Sequence, residues 1–331
     1  PFSDRIGRKK MLIFLIIGFC LASLGCALSY SAESIFLFRI LSGVFGGIIM
    51  PNALAFVSDA FEGKQKIKAL STLTLSFPIA SVLGVPLGAW VGDIFSWRAP
   101  FIFIAALGLL CGLSILKLQT IHGTKEKNIL QQYHEFISLW YDKKMRSMFA
   151  IQFLMLIGLF GFVPQISVWL TLNFHMSTTE IGICYMQGGI GAIIGNMTAR
   201  YFLQKGHDTS LVSIGSFIMA VSILLITMEL LGPALIGLGF ALTMYGGSLR
   251  MPAYQVMLSN LTSVKLRGRL LSMSMIVANI SMGLGGLWSL PLLSIESGRL
   301  VGMEPIGWIS CITLCFIPVL IYRTQKIDKT S

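Results

Sequence analysis

Two arginines sit where a charge is costly to hold. Arg39 and Arg250 lie at the edge of, or within, long uncharged apolar stretches. A cation at the centre of a hydrocarbon span costs about 2.5–3.5 kcal/mol on insertion scales, so both are candidates for a function rather than for packing. Arg250 stands just ahead of Pro252 and shares a helical face with Thr243, Gly246 and Tyr254. Snorkelling of its head group to the membrane surface is the competing reading. The carboxylates are elsewhere: Asp59, Asp93, Glu180, Glu229 and Glu296 all stand at the ends of apolar stretches. Neutral polar groups inside the stretches complete the set. Gln165, Trp169, Gln187, Tyr245 and Asn279 could line a substrate cavity, and hydrogen bonds between helices are the plainer alternative.

Residue types that serve enzymes are not spaced for it. No H-E-x-x-H, G-x-S-x-G or G-x-x-x-x-G-K occurs, and Gly189, Gly191 and Gly195 lie inside an apolar run with no strand before them. His122, His134, His175 and His207 fall outside the apolar runs, whereas all six cysteines fall inside them with no C-x-x-C pair. The cysteines read as small packing residues. No enzyme activity, cofactor or metal is expected.

The elements that must carry these residues are membrane helices. Apolar residues make up 55% of the chain and charged residues 12%, against about 45–50% and about 25% in soluble domains. A net charge of +11 would suggest nucleic acid in a soluble protein, but the basic residues sit between apolar runs, so the expected partner is a lipid bilayer and not nucleic acid. Ten uncharged runs occur, at 11–30, 40–57, 69–92, 99–116, 147–174, 181–199, 209–228, 230–249, 270–295 and 305–322. Each approaches or exceeds the roughly 20 residues needed to cross a bilayer as a helix. They do not alternate as barrel strands do.

Charge sorts the connections. Alternate segments hold 21 of the 25 basic residues, and the opposite set holds only Arg98 and Arg299. By the positive-inside rule both ends of this chain are cytoplasmic. An internal repeat of about 200 residues is also present. Lys66-Ile67-Lys68-Ala69-Leu70 recurs as Arg267-Gly268-Arg269-Leu270-Leu271, and the long polar stretch 117–146 lies between the two copies. The chain therefore divides into a first half at 1–118, a cytoplasmic central loop at 119–146, a six-helix second half at 147–323 and a cytoplasmic tail at 324–331. Aligning the halves leaves the first without counterparts of two spans, so the expected complete bundle is 6+6 with ten of its twelve helices in this chain.

Three motifs follow one another in order: Asp4-Arg5-Ile6-Gly7-Arg8-Lys9-Lys10, then Arg39 with Gly43, Gly46 and Gly47, then Gly84-Val85-Pro86-Leu87-Gly88. Gly7 permits a tight turn, the arginines can anchor to the cytoplasmic face and to helix C-termini, and Asp4 can pair with helix N-termini or basic residues. The Arg39 face, with Gly43, Gly46, Met50 and Ala53, implies close helix approach around a buried charge. Gly84, Gly88 and Gly92 offer a small-residue packing face, and Pro86 frees a backbone carbonyl.

Together these motifs resemble the major facilitator superfamily, in its twelve-span drug:proton antiporter branch. The first is similar to the family's D-R-x-G-R-R/K loop, the second to its R-x-x-x-G-x-x-x-G pattern on span four. The third is similar to its span-five antiporter signature, with the order G-x-P-x-G and Ala89 in place of a final Gly. The resemblance implies an all-α membrane transporter that exports a small organic molecule of drug, sugar or nucleoside type by proton antiport. It implies a cytoplasmic gate of Asp4, Arg5, Gly7, Arg8 and Asp59, proton coupling at Arg39, and a role for Gly84, Pro86 and Gly88. The expected partners are a small-molecule substrate, protons and the lipid of the cell (inner) membrane, and a monomer is expected. An uptake symporter for a sugar or organic anion is the alternative.

Overall fold

The computed structural model describes residues 7–61, 63–74, 76–117, 140–261 and 267–330. Their helices are α1 (Arg8–Leu28), α2 (Ala32–Ala60), α3 (Gly63–Thr74), α4 (Ser76–Ile79), a π-helical turn (Ala80–Gly84), α5 (Val85–Ile94) and α6 (Ala99–Leu116). There follow α7 (Lys143–Phe174), α8 (Thr178–Leu203), α9 (Asp208–Thr227), α10 (Pro233–Asn260), α11 (Arg267–Ser289) and α12 (Met303–Thr330). An all-α membrane fold results because hydrocarbon leaves each backbone group to find its partner inside its own helix. Among the described residues, seven helices are long and apolar enough to cross a bilayer. α8 and α10 have 26 and 28 residues and are diluted by glycine and polar side chains.

Caps set where the helices begin. Ser31 and Ser34 form a capping box ahead of α2, and Ser177 and Glu180 form one ahead of α8. The Asp142 carboxylate accepts from the Lys144 and Met145 amides at 2.7 and 3.4 Å, satisfying donors that α7 would leave open.

Two expected spans are modified. The stretch 69–92 carries one irregularity among the described residues: between α4 and α5 the helix widens into the π-helical turn Ala80–Gly84. Pro86 explains it. A proline donates no N–H and clashes with the carbonyl four residues back, and widening the turn relieves this. The Val85 amide accordingly bonds Ala80 O, five residues back. The stretch 270–295 stops being α-helical at Ser289, because Pro291 intervenes, and passes through Leu290–Leu292 to an antiparallel hairpin. Its strands are β1 (Ser294–Glu296) and β2 (Arg299–Val301), joined by Ser297 at φ 50° and Gly298 at φ 80°. Positive φ at both central residues gives the tight hairpin turn whose twist matches the strands.

The described residues form two compact units. The first takes those up to Phe77 and those from Leu87 to 117, and the second takes Pro78–Pro86 and residues 140–330. In the first, α1 packs on α2 and α6. In the second, α10 packs on α8 and α9, α7 packs on α11 and α12, and α9 packs on α12. The second unit holds the larger apolar core, centred on Met155, Phe162, Met219, Phe240 and Tyr254.

Candidate functional site

The gate residues begin where α1 begins. Gly7 has φ 94°, a conformation costly for any other residue, and it turns the chain into the helix. Arg8 Nε lies 2.5 Å from Asp59 Oδ2 near the C-terminal end of α2, with both side chains partly shielded from solvent. Asp4 and Arg5 lie outside the described residues. Asn52 adds a contact that the sequence did not announce: its Nδ2 donates to the Arg8 carbonyl at 3.3 Å, and its own Oδ1 is buried with no partner among the described residues. Asn52 and Asp59 are two helical turns apart and so share a face. One holds the Arg8 backbone and the other its guanidinium. Lys9 Nζ donates to the Leu116 carbonyl at 2.9 Å, placing a cation on the C-terminus of α6. The helix-anchoring role expected of the basic motif thus falls here to a lysine.

Arg39 departs from its expected burial. It is exposed, with its guanidinium 4.9 Å from the centre of the Phe101 ring. Close approach at its glycines holds only at Gly46, where an added Cβ would stand 3.2 Å from Phe19. Among the described residues, a Cβ added at Gly43 or Gly47 would meet nothing within 4 Å. The cation is met by an aromatic face rather than sealed between helices.

The packing face expected of Gly84 and Gly88 is also open. An added Cβ at Gly88 would meet nothing within 4 Å, and one at Gly84 only the Cβ of Ala80 in its own turn. The segment's distinguishing feature is instead the π-helical turn directly before Pro86. That turn belongs to the second unit, beside α8.

In the second unit Arg250 is fully buried, which excludes snorkelling in this structure. Its Nη2 donates to the Met155 carbonyl of α7 at 2.6 Å and its Nη1 to Ser216 Oγ of α9 at 3.4 Å. Its Nε is unpartnered, and no carboxylate pairs with it among the described residues. Gly215 and Gly246 make room, since a Cβ on either would collide with the other's carbonyl oxygen. One turn along α10, the Tyr254 hydroxyl lies 3.0 Å from Met148 O and 3.1 Å from Gln152 Oε1, which also accepts from Ser274 Oγ at 2.9 Å. Arg250 and Tyr254 therefore head a buried polar column tying α7, α9, α10 and α11 together. Gln152 and Ser216 were not singled out from the sequence, although a glutamine inside an apolar run is a signal.

The remaining cavity candidates scatter. Gln165 Nε2 donates to Ser289 Oγ at 3.0 Å, joining α7 to α11. Trp169 is buried in the core, edge-on to Phe174 at 4.9 Å. Gln187 is half-buried with its amide against Gly237. Tyr245 is half-buried, and Asn279 is exposed. Gln165 thus joins two helices here, and Trp169 fills the core.

Two of the connections between helices also carry partners missed in the sequence. Arg98 Nη2 donates to the Ser29 carbonyl just past α1 at 3.0 Å, with its guanidinium 4.4 Å from the Trp97 ring. Asn173, near the end of α7, donates to Leu300 O at 3.1 Å and accepts from Leu300 N at 2.8 Å.

Comparison with known proteins agrees with this architecture. The family model described as Major Facilitator Superfamily matches residues 1–286. The chain is 25% identical over 211 residues to the uncharacterized MFS-type transporter YceJ of Bacillus subtilis, covering 62% of this chain and 53% of that protein. It is 28% identical over 200 residues to Multidrug resistance protein 1 of Bacillus subtilis, covering 59% and 49%. It is 27% identical over 217 residues to the Bicyclomycin resistance protein homolog of Haemophilus influenzae, covering 64% and 54%. The matched regions thus span about half the length of these curated relatives. Among solved structures, the human organic anion transporter MFSD10 superposes with a TM-score of 0.68 at 17% identity, covering 96% of this chain and 78% of that one. A run of membrane helices, an ordered set of motifs and a family match over most of the length converge: the chain belongs to the Major Facilitator Superfamily, a family of membrane transporters and not of enzymes.

Proposed function

We propose that the protein of which this chain is the whole or a part exports a small organic molecule, of drug, sugar or nucleoside type, in exchange for protons. It works as a monomer in the cell (inner) membrane, with both ends of this chain on the cytoplasmic face. It works by alternating access, exposing its substrate site to each side of the membrane in turn. The observation that carries the reading is the Arg8–Asp59 ion pair, backed by Asn52, which ties the start of α1 to the end of α2. Such a pair fixes how the ends of these two helices present the charged motif, and a charge network of this kind can bias a two-state element toward one of its arrangements. The multidrug and bicyclomycin resistance relatives support the outward direction. Arg39 is the coupling candidate, because an exposed cation over an aromatic ring keeps its charge available to a cavity.

The test uses energised inverted vesicles containing the full-length protein, with lumenal pH followed by fluorescence while nucleosides, pentoses and cationic drugs are added. Release of protons by one of these compounds, lost in Arg39→Ala, is the expected result. Movement of substrate and protons in the same direction would replace export with symport.

A further inference from the structure

Cys311 and Cys315 stand one turn apart on α12 with their Sγ atoms 3.9 Å from each other. Both are free thiols, Cys311 half-buried and Cys315 exposed. They fall in the middle of the apolar stretch 305–322, and neither belongs to the gate, the π-helical turn or the Arg250 column. We propose that Cys311 and Cys315 form a membrane-embedded dithiol site for a neutral trivalent organoarsenical.

Geometry and medium both argue for this ligand class. Residues four apart on a helix face the same way, with Cβ atoms about 5–6 Å apart. The two sulfurs are already near van der Waals contact, so both reach one soft atom by side-chain rotation, with no change in the helix. Sulfur ligands favour soft centres. The hydrocarbon setting then selects the charge state. Holding two thiolates there is costly, which disfavours a hydrated cation that must meet them as anions. A neutral arsine oxide avoids that cost at both ends of the reaction. Its As=O bond and two S–H bonds break, two As–S bonds form, and both protons leave with the oxygen as one water molecule. Arsenic stays trivalent, sulfur is not oxidised, and the product is neutral. Because one rigid turn presents both thiols, the second bond forms without further ordering of the chain, which makes the chelate far more persistent than a single As–S bond.

The test uses full-length protein in lipid nanodiscs, first reduced and then given one equivalent of phenylarsine oxide. Retained arsenic is read by intact mass after a monothiol wash and again after a dithiol wash. A variant with every other cysteine, Cys20, Cys26, Cys111 and Cys184 among them, replaced by Ser should keep one phenylarsenic group per chain through the monothiol and release it to the dithiol. Adding Cys311→Ser or Cys315→Ser should each lower monothiol-resistant retention at least tenfold. Cys311→Ala and Cys315→Ala, checked for monodisperse elution, separate loss of the chelate from loss of the fold. Equal retention in the single variants, or no resistant adduct in well-folded protein that keeps both thiols, overturns the proposal.

Discussion

At the scale of single residues, the buried guanidinium of Arg250 makes the sharpest prediction. Its contacts are a carbonyl and a hydroxyl, and neither offsets the loss of water around a full charge. Arg250→Met, which fills similar space without charge, should therefore leave the thermal midpoint unchanged or raised. Arg250→Ala should lower stability by about 2–5 kcal/mol through the cavity it leaves. A large loss in the Met variant would mean that the hydrogen bonds to Met155 and Ser216 dominate. In the gate, a double-mutant cycle of Arg8→Gln and Asp59→Asn should give a coupling of about 1 kcal/mol, since the pair is only partly shielded. Asn52→Ala should cost little stability, because it also removes an unpartnered buried oxygen. It should nevertheless speed cysteine labelling at the start of α1. Arg250 and Asp59 stood out in the sequence by charge and position. The burial of Arg250 did not, because its strongest acceptor is a main-chain carbonyl, which leaves no trace in residue types. Asn52 stayed hidden for the same reason.

At the scale of elements, the π-helical turn before Pro86 can be tested against its cause. In Pro86→Ala the new N–H can bond the Val82 carbonyl, so the turn should tighten to α-helix. Stability should rise by about 1–3 kcal/mol, and transport should slow as the segment stiffens. An unchanged π turn would assign the distortion to packing on α8 instead. The hairpin makes a second case. Asn173→Ala removes both side-chain bonds to Leu300, and amide exchange at residues 299–301 should rise by about tenfold or more for about 1.5–3 kcal/mol lost. Run length and hydropathy made the spans legible, because a bilayer demands a fixed apolar length. They did not reveal where helix gives way. Pro78, Pro86 and Pro291 were visible in the sequence, yet a proline can kink, widen or end a helix, and only its neighbours decide which. Ser297-Gly298, between Glu296 and Arg299, fell in a connection outside the apolar runs, but flanking strands of three residues each are too short to show a period of their own.

At the scale of the whole molecule, the charge bias of the connections predicts orientation. With native cysteines replaced by serine, Ser297→Cys should react with a membrane-impermeant maleimide in intact cells, and Gln204→Cys only after the cells are opened. The reverse pattern would invert the proposed topology. The family and its bundle were legible because three motifs stand in order along the chain. The cavity was not, because polar residues suited to line it serve equally well as bolts between helices, as Gln165 does on Ser289.

The Asn173 clasp has a practical consequence. Its amide pairs with both backbone groups of Leu300, as a neighbouring strand would, so the small hairpin is fastened to the end of α7 instead of swinging on its connections. A nanobody epitope or fluorescent label grafted at Ser297-Gly298 would consequently report the motion of the helices beneath it, making the hairpin a rigid fiducial for imaging the transport cycle.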